Sequence, residues 1–196
     1  MIIGFIGAGN VAQTFARHLT HAKYNVLLNS RNKDKLKSIV KELGEYAKAA
    51  ELEEVLRADV LVLCIPWTEV SSVLENIELR TDQILIDATN HFETYGPDFK
   101  RAELNGQVSS VIVKDLVKAK VIKALNTVHM EWIKEVPAKN ETILFISGDD
   151  DSAKSTFSSI LKDLKFIPVD LGSLEYGGRL QQLDGPLAGL NLIKKD

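Results

Sequence analysis

The chain has few of the features that mark secreted or membrane proteins. Its 196 residues include one cysteine, so no internal disulfide can form, as is usual in the reducing cytoplasm. The longest unbroken apolar run spans only residues 60–65, far short of the ~20 residues that cross a bilayer. No basic segment precedes the first apolar residues, which argues against a secretory signal. We therefore expect a cytoplasmic protein that does not bind membranes.

The chain also lacks an excess of charge of either sign. Its 24 Lys and Arg residues stand against 27 Asp and Glu residues, for a formal charge of −3. Nucleic-acid-binding surfaces need clustered positive charge, so we expect no nucleic-acid partner. The apolar and charged fractions, 45% and 26%, are ordinary for a globular domain. The length allows one domain with a small appendage and leaves little room for a large substrate-binding domain.

Short apolar runs alternate with segments of helical period. After the apolar residues 2–6, the spacing of Val11, Phe15 and Leu19 predicts an amphipathic helix. Residues 60–65 are apolar throughout, as in a parallel strand covered by helices on both faces. This alternation predicts an α/β fold, a Rossmann-type doubly wound, mostly parallel sheet with a small C-terminal α/β extension. Further strands are predicted at 24–29, 47–50, 83–87, 120–124, 142–147 and 166–170, and helices at 32–43, 52–57, 109–117, 150–164 and 174–193, the last broken near Gly185-Pro186.

A glycine-rich turn, Gly7-Ala8-Gly9-Asn10-Val11-Ala12, lies between the first strand and the first helix. In this context the pattern GxGxxA is typical of dinucleotide-binding sites. The first glycine permits the tight turn, the second lets backbone amides approach a pyrophosphate, and Ala12 allows close packing of helix on strand. The helix N-terminus favours the negative charge of the pyrophosphate. The sequence therefore predicts a dinucleotide site at this turn.

The end of the second strand indicates which dinucleotide binds. Sites for NAD usually carry an acidic residue about 20 residues after the first glycine, where it binds the ribose hydroxyls. This chain has Asn29-Ser30-Arg31 there, and its first acidic residue is Asp34. The hydroxyl of Ser30 and the guanidinium of Arg31 suit a 2′-phosphate, and Lys35 adds positive charge. These residues favour NADP over NAD.

Further motifs follow along the chain. In order, the motifs are Gly7-Ala8-Gly9, Asn29-Ser30-Arg31, Ile65-Pro66-Trp67, Asp87-Ala88-Thr89-Asn90, Lys123-Ala124-Leu125-Asn126-Thr127 and Gly148-Asp149-Asp150-Asp151. This order resembles one family, the coenzyme F420-dependent NADP oxidoreductases. The resemblance covers nearly the whole chain, and a closing motif at residues 169–174 with Arg179 is also similar to that family.

The resemblance implies a division of the chain and an activity. Residues 1–126 would form the NADP-binding Rossmann domain, and residues 127–196 a small region that closes the pocket and forms the homodimer common in the family. Hydride would pass between the nicotinamide and a second flat redox molecule, the deazaflavin coenzyme F420 or a flavin. No side chain would act as a catalytic acid or base, and no metal is implied.

The resemblance also implies which residues bind the cofactors. Ala8, Asn10 and Val11, with Gly7 and Gly9, would contact the pyrophosphate. The 2′-phosphate would contact Ser30, Arg31 and Lys35. The ribose and nicotinamide would be lined by Ile65, Pro66, Trp67, Ala88, Thr89 and Asn90. The second ring would face Ala124 and Asn126.

The sequence departs from the family pattern where the second substrate would bind. His91 follows Asn90 where the family often has proline, and Val128-His129-Met130 and Gly172-Ser173-Leu174 also differ. Two alternatives therefore stay open. One is an NADP(H)-dependent reductase of a small carbonyl or imine, which would need His91, His129 or Tyr95 as proton donor. The other is a non-catalytic module that senses NADP(H).

Overall fold

The computed structural model describes residues 1–94, 96, 98–135 and 142–194. The strands are β1 (Ile2–Ile6), β2 (Asn25–Asn29), β3 (Ala47–Ala49), β4 (Val60–Leu63), β5 (Ile84–Asp87), β6 (Phe92–Thr94), β7 (Lys100–Arg101), β8 (Lys120–Ala124), β9 (Ile143–Gly148) and β10 (Ile167–Asp170). The helices are α1 (Asn10–His21), α2 (Lys33–Leu43), α3 (Leu52–Val55), α4 (Trp67–Glu75), α5 (Ser109–Asp115), α6 (Asp151–Asp163) and α7 (Tyr176–Gln181), with a 3-10 helix at Met130–Ile133.

Eight of these strands form one sheet in the order β10-β9-β8-β5-β4-β1-β2-β3. The neighbours from β3 to β8 are all parallel, β9 is antiparallel to β8, and β10 is parallel to β9. This is the doubly wound α/β fold that the sequence predicts. The C-terminal strands extend the same sheet, and the proposed domain division after residue 126 stays a prediction.

The strand sequences place a core on each face of the sheet. In β4 every residue is buried: Val60 and Val62 pack into one core with Phe5, and Leu61 and Leu63 into the other. Alternate residues of a strand point to opposite faces, so a strand covered on both sides must be apolar throughout. No helix in the described residues is long and apolar enough to cross a membrane.

The topology creates a crevice at the carboxyl end of the sheet. From β1 the chain winds outward through β2 and β3, then returns to the other side of β1 and winds outward through β4, β5 and β8. The connections after β1 and β4 therefore diverge, and ligands of such sheets bind at that point.

The structure shortens one predicted helix and adds two elements that were not predicted. The helix predicted at 174–193 is only α7, since Gln182 adopts an extended conformation (ψ 166°) and turns follow it. Helix α4 was not predicted, because Pro66 was interpreted only as the end of a strand, whereas it also precedes the first residue of this helix. The β6–β7 hairpin was not predicted either.

Candidate dinucleotide-binding site

The two glycines of the turn between β1 and α1 serve different purposes. Gly7 has a φ of +103°, and an added Cβ would collide with the carbonyl oxygen of Cys64 after β4. Gly9 has an ordinary φ of −75°, and an added Cβ would lie in open space with no heavy atom within 4 Å. The fold therefore requires glycine at position 7, whereas at position 9 glycine keeps clear the space in front of α1.

The N-terminus of α1 is available to an anion. Gly9 precedes the helix without any capping side chain, and the first turn contains no acidic residue. The first amide groups of a helix have no partners within the helix and carry partial positive charge. Ala12 is fully buried in the core, which fixes the helix closely against the sheet.

Two adjoining clefts flank this helix terminus at the carboxyl end of the sheet. The first cleft has a volume of about 510 Å³, and the second about 310 Å³. They share Gly9, Cys64, Ile65 and Pro66, so together they form one groove across the ends of β1, β4 and β5. The first cleft is also lined by Ile6, Gly7, Ala8, Asn29, Ser30, Arg31, Asn32, Lys35, Leu52, Glu69 and Val73. The second is also lined by Asn10, Val11, Ala88, Thr89, Asn90 and Phe92.

Charged side chains gather at one end of the first cleft. Arg31 reaches across it, and its Nη2 donates to Oε1 of Glu69 at 2.9 Å. Lys35 lines the same end and makes no ion pair with any described residue. Asn32 caps α2 by accepting a hydrogen bond from the backbone N–H of Lys35 at 2.9 Å, which fixes the start of that helix. A phosphate at this end would meet two cations and one carboxylate.

A buried ion pair lies beneath the second cleft. Nζ of Lys123 donates to Oδ2 of Asp87 at 3.0 Å and to the carbonyl oxygen of Thr89 at 2.5 Å, and both charged side chains are fully buried. Asp87 Oδ1 accepts from the backbone N–H and the hydroxyl of Thr89 at 3.0 and 2.6 Å. Burial lowers the pKa of Lys123, and Asp87 acts against this shift.

An amide network joins the second cleft to α7. Two hydrogen bonds link Asn90 and Asn126. Nδ2 of Asn90 donates to the backbone carbonyl oxygen of Asn126 at 3.0 Å, and Nδ2 of Asn126 donates to Oδ1 of Asn90 at 3.2 Å. Asn126 Nδ2 also donates to the carbonyl oxygen of Gln181 at 2.7 Å. The buried Gln181 side chain accepts from the Ser147 hydroxyl and donates to the carbonyl oxygen of Phe145 at 3.2 Å. The C-terminal region thus supports the floor of the second cleft.

The lining of the second cleft contains one titratable side chain among the described residues, Cys64. Burial raises the pKa of this thiol well above its usual range, which disfavours the reactive thiolate form. Cys64 is partly buried and packs against the core, which fits a packing role.

The histidines considered as proton donors lie elsewhere. His91 is buried edge-to-face against Trp67, with ring centroids 6.3 Å apart, and lines a separate polar cavity of about 550 Å³ with Arg101 and Arg179. Burial lowers the pKa of His91. His129 is exposed and stacks at a tilt on Trp132. Tyr95 lies outside the described residues.

Most of the residues that the sequence singled out line the groove. The exceptions are Trp67, which packs between His91 and the core, Ala124, which is fully buried, and Asn126, which reaches the cleft through Asn90. Those that line it are Gly7, Ala8, Gly9, Asn10, Val11, Ser30, Arg31, Lys35, Ile65, Pro66, Ala88, Thr89 and Asn90.

Sequence reasoning missed Glu69, Lys123 and Gln181. Glu69 belongs to the unpredicted helix α4. One signal could have identified the ion pair: Asp87 and Lys123 each place a charge near the carboxyl end of a buried apolar strand. Charges in such positions are rare unless they are paired. For Gln181 the sequence offered no comparable signal.

Solved structures of other proteins share this fold. A solved structure of a hypothetical protein from Sinorhizobium meliloti is 34% identical, with a TM-score of 0.90 over 100% of this chain and 96% of that one. A candidate F420-dependent NADP reductase from Arthrobacter sp. FB24 has the same fold, with a TM-score of 0.71 at 23% identity over 88% of this chain and 84% of that one.

Two further matches concern sequence. Metalloreductase STEAP3 of Rattus norvegicus is 25% identical over 173 residues, which make up 88% of this chain and 34% of that protein. The chain thus spans about a third of the length of the metalloreductases it matches. Residues 2–91, from β1 to the loop between β5 and β6, match the family model described as NADP oxidoreductase, coenzyme F420-dependent. Just under half of the chain, residues 2–91, is therefore similar to the coenzyme F420-dependent NADP oxidoreductases.

Proposed function

We propose that the protein is an NADP(H)-dependent oxidoreductase that transfers hydride between the nicotinamide and a flat redox cofactor, a deazaflavin such as coenzyme F420 or a flavin. The observation that carries this proposal is the chemistry of the second cleft. Its described walls are apolar groups, amides and hydroxyls, and its one titratable group is a thiol whose pKa is raised by burial.

The chemistry of the two clefts favours one orientation of the dinucleotide in this proposal. The pyrophosphate occupies the open space beside Gly9, at the N-terminus of α1. The adenosine half occupies the first cleft, where Ser30, Arg31 and Lys35 bind the 2′-phosphate. The nicotinamide half occupies the second cleft, beside Thr89 and Asn90. When bound, the nicotinamide supplies the hydride chemistry, and the chain binds, orients and shields it from water.

A flat redox acceptor suits these walls better than a carbonyl or an imine. Reduction of a carbonyl or imine needs a proton donor or an electrostatic partner at the reacting atom. A deazaflavin or flavin instead spreads the added charge over its ring system. The family description names coenzyme F420, and the metalloreductases among the relatives are named for redox chemistry as well. The chain would then contribute chiefly by holding the two rings in alignment.

Replacing Arg31 with Glu tests the cofactor assignment. Arg31→Glu is expected to weaken NADPH binding by about 10- to 100-fold, the equivalent of losing a charge-assisted hydrogen bond of about 1.5–3 kcal/mol. NADH, which lacks the 2′-phosphate, should lose much less. Calorimetric titration of both cofactors measures the difference.

The matched control is Lys37→Glu, the same change of charge on α2 at a residue that pairs with Asp34 and does not line the first cleft. It should leave both affinities within about twofold, because an exposed charge outside the site is strongly screened. Equal losses of NADPH and NADH in Arg31→Glu would contradict the 2′-phosphate assignment.

A further inference from the structure

The fully buried ion pair of Lys123 and Asp87 is not explained by stability alone. Removing two charges from water costs free energy that their mutual attraction often fails to recover, and apolar residues of similar size frequently stabilise a protein more. The pair nevertheless lies at the carboxyl ends of two neighbouring strands, β5 and β8, directly beneath the second cleft. This position points to a role of the ion pair in the second cleft.

The contacts of the pair converge on one residue, Thr89. Asp87 accepts hydrogen bonds from the backbone N–H and the hydroxyl of Thr89, and Lys123 donates to the carbonyl oxygen of Thr89. The ion pair thus holds both backbone polar groups and the side chain of a residue that lines the cleft. A loop residue fixed at three points cannot rotate its peptide groups.

The orientation of the next peptide group follows from this. The described residues contain no cis peptide bond, and in a trans peptide the C=O and the following N–H point in opposite directions. Because the Thr89 carbonyl points inward to Lys123, the N–H of Asn90 points away from the core, on the side where Asn90 lines the second cleft. This N–H donates to no acceptor among the described residues, whereas the Asn90 side chain is bonded twice to Asn126.

We infer that Lys123 and Asp87 are positioning residues that fix the Thr89–Asn90 peptide, so that the backbone N–H of Asn90 donates to the nicotinamide half of the cofactor. This inference rests on the proposed function. The acceptor is an oxygen of that half, either the carboxamide oxygen or a ribose hydroxyl. Lys123 acts at a distance through Thr89 and does not contact the cofactor.

The test compares ligands that share the adenosine half. NADPH fills both clefts, whereas 2′,5′-ADP carries the 2′-phosphate and lacks the nicotinamide half. A single Lys123→Met change would leave a buried, unpaired carboxylate and strongly destabilise the fold. The variant of choice is therefore the neutral double change Lys123→Met with Asp87→Asn. An Asn at position 87 can still accept hydrogen bonds from the N–H and the hydroxyl of Thr89. The double variant therefore loses chiefly the hydrogen bond from Lys123 to the Thr89 carbonyl oxygen.

The control removes buried hydrogen bonds at the opposite end of β5. Gln83 is buried, and its Nε2 donates to the carbonyl oxygens of Leu56 and Ala58 at 2.8 and 2.7 Å. Gln83→Met should lower the midpoint of thermal unfolding without changing the affinity for either ligand. This control separates an effect of lower stability from an effect of a displaced Thr89–Asn90 peptide.

The double variant should bind NADPH about tenfold more weakly than the native protein, the equivalent of one lost hydrogen bond, and 2′,5′-ADP within about twofold. Unchanged NADPH affinity, or equal losses for both ligands, would overturn the inference. If the native protein binds NADPH but reduces no acceptor, the proposed function fails while the binding comparison still decides the inference. If it binds neither ligand, both fail.

Discussion

In the proposed function the side chain of Arg31 has two successive partners. These are Glu69 in the structure and the 2′-phosphate when NADPH binds. In the structure Arg31 spans the first cleft to Glu69, although its side chain is 84% exposed. Exposed ion pairs contribute only about 0–1 kcal/mol. A 2′-phosphate offers more oxygens and a larger charge, so it should displace Glu69 as the partner of Arg31. Glu69 then stays in the cleft as an unpaired carboxylate near the phosphate.

Replacing Glu69 with Gln removes this competitor and the repulsion. Glu69→Gln is expected to strengthen NADPH binding by up to about fivefold, the equivalent of an exposed ion pair, and to leave NADH nearly unchanged. The gain should shrink at high salt, because exposed charges are screened. Titrations at low and high ionic strength measure it, with Glu75→Gln on the same helix as control. Weaker NADPH binding would mean that Glu69 itself binds the cofactor.

Among the elements, α1 connects the fold most directly to binding. Its apolar side is anchored in the core by Phe15, Leu19 and Ala12, while its N-terminus opens onto the groove. The two glycines in front of it therefore have separable roles. The backbone conformation requires Gly7, whereas we propose that Gly9 is needed to leave space for the ligand.

The change Gly9→Val tests this separation. The φ and ψ of Gly9, −75° and −170°, are open to any residue, so the free energy of unfolding should stay within about 1 kcal/mol of the native value. The added side chain fills the space of the pyrophosphate, so NADPH binding should fall more than tenfold. Gly7→Ala should instead lower the free energy of unfolding, because a residue with a Cβ is strained at a φ of +103°. A Gly9→Val variant that binds NADPH normally would contradict the assignment.

The elements also show what the sequence could and could not predict. The turn at Gly7 and Gly9 and the second strand's end with Ser30 and Arg31 are local patterns, and their elements were found at the expected places. Asp150 caps α6 by accepting a hydrogen bond from the backbone N–H of Ala153 at 2.8 Å, which is also a local interaction. Helix α4 and the β6–β7 hairpin were missed, because short elements around proline and turns depend on tertiary packing more than on period.

For the whole molecule, sheet order brings together groups that the sequence separates. Asp87 and Lys123 meet only because β5 and β8 are neighbours. Gln181 reaches the backbone carbonyl oxygen of Lys123 only because α7 packs on β8 and β9. Such contacts follow from topology and could not be derived from spacing. A second contact links the C-terminal region to the first half of the chain. There Nε2 of His18 in α1 is hydrogen-bonded to the carbonyl oxygen of Ile133 at 2.6 Å.

That junction should make stability depend on pH. Burial lowers the pKa of His18, and its Nδ1 has no hydrogen-bond partner among the described residues. The folded state therefore keeps the ring neutral while the unfolded state takes up a proton, so the free energy of unfolding should fall as the pH drops below about 6.5. His91, whose pKa is also lowered, contributes in the same direction.

Urea unfolding at pH 7.5 and 5.5 measures this effect. In His18→Phe the loss of stability between the two pH values should be smaller than in the native protein, because one of the buried rings no longer titrates. The phenyl ring keeps the edge-to-face contact with Phe166. His21→Phe, at an exposed position on the same helix, serves as control. An equal pH dependence in the native protein and His18→Phe would refute the explanation.

The central proposal is direct hydride transfer in a cleft whose lining, among the described residues, has Cys64 as its one titratable side chain. It is tested most directly by anaerobic reaction of NADPH, deuterated at the transferable position of the nicotinamide, with a deazaflavin. We predict that the deuterium appears in the reduced deazaflavin, at a rate unchanged within about twofold by the double replacement His91→Asn with His129→Asn. The account is contradicted if NADPH reduces neither deazaflavin nor flavin but reduces a small carbonyl or imine, in a reaction that this double replacement abolishes.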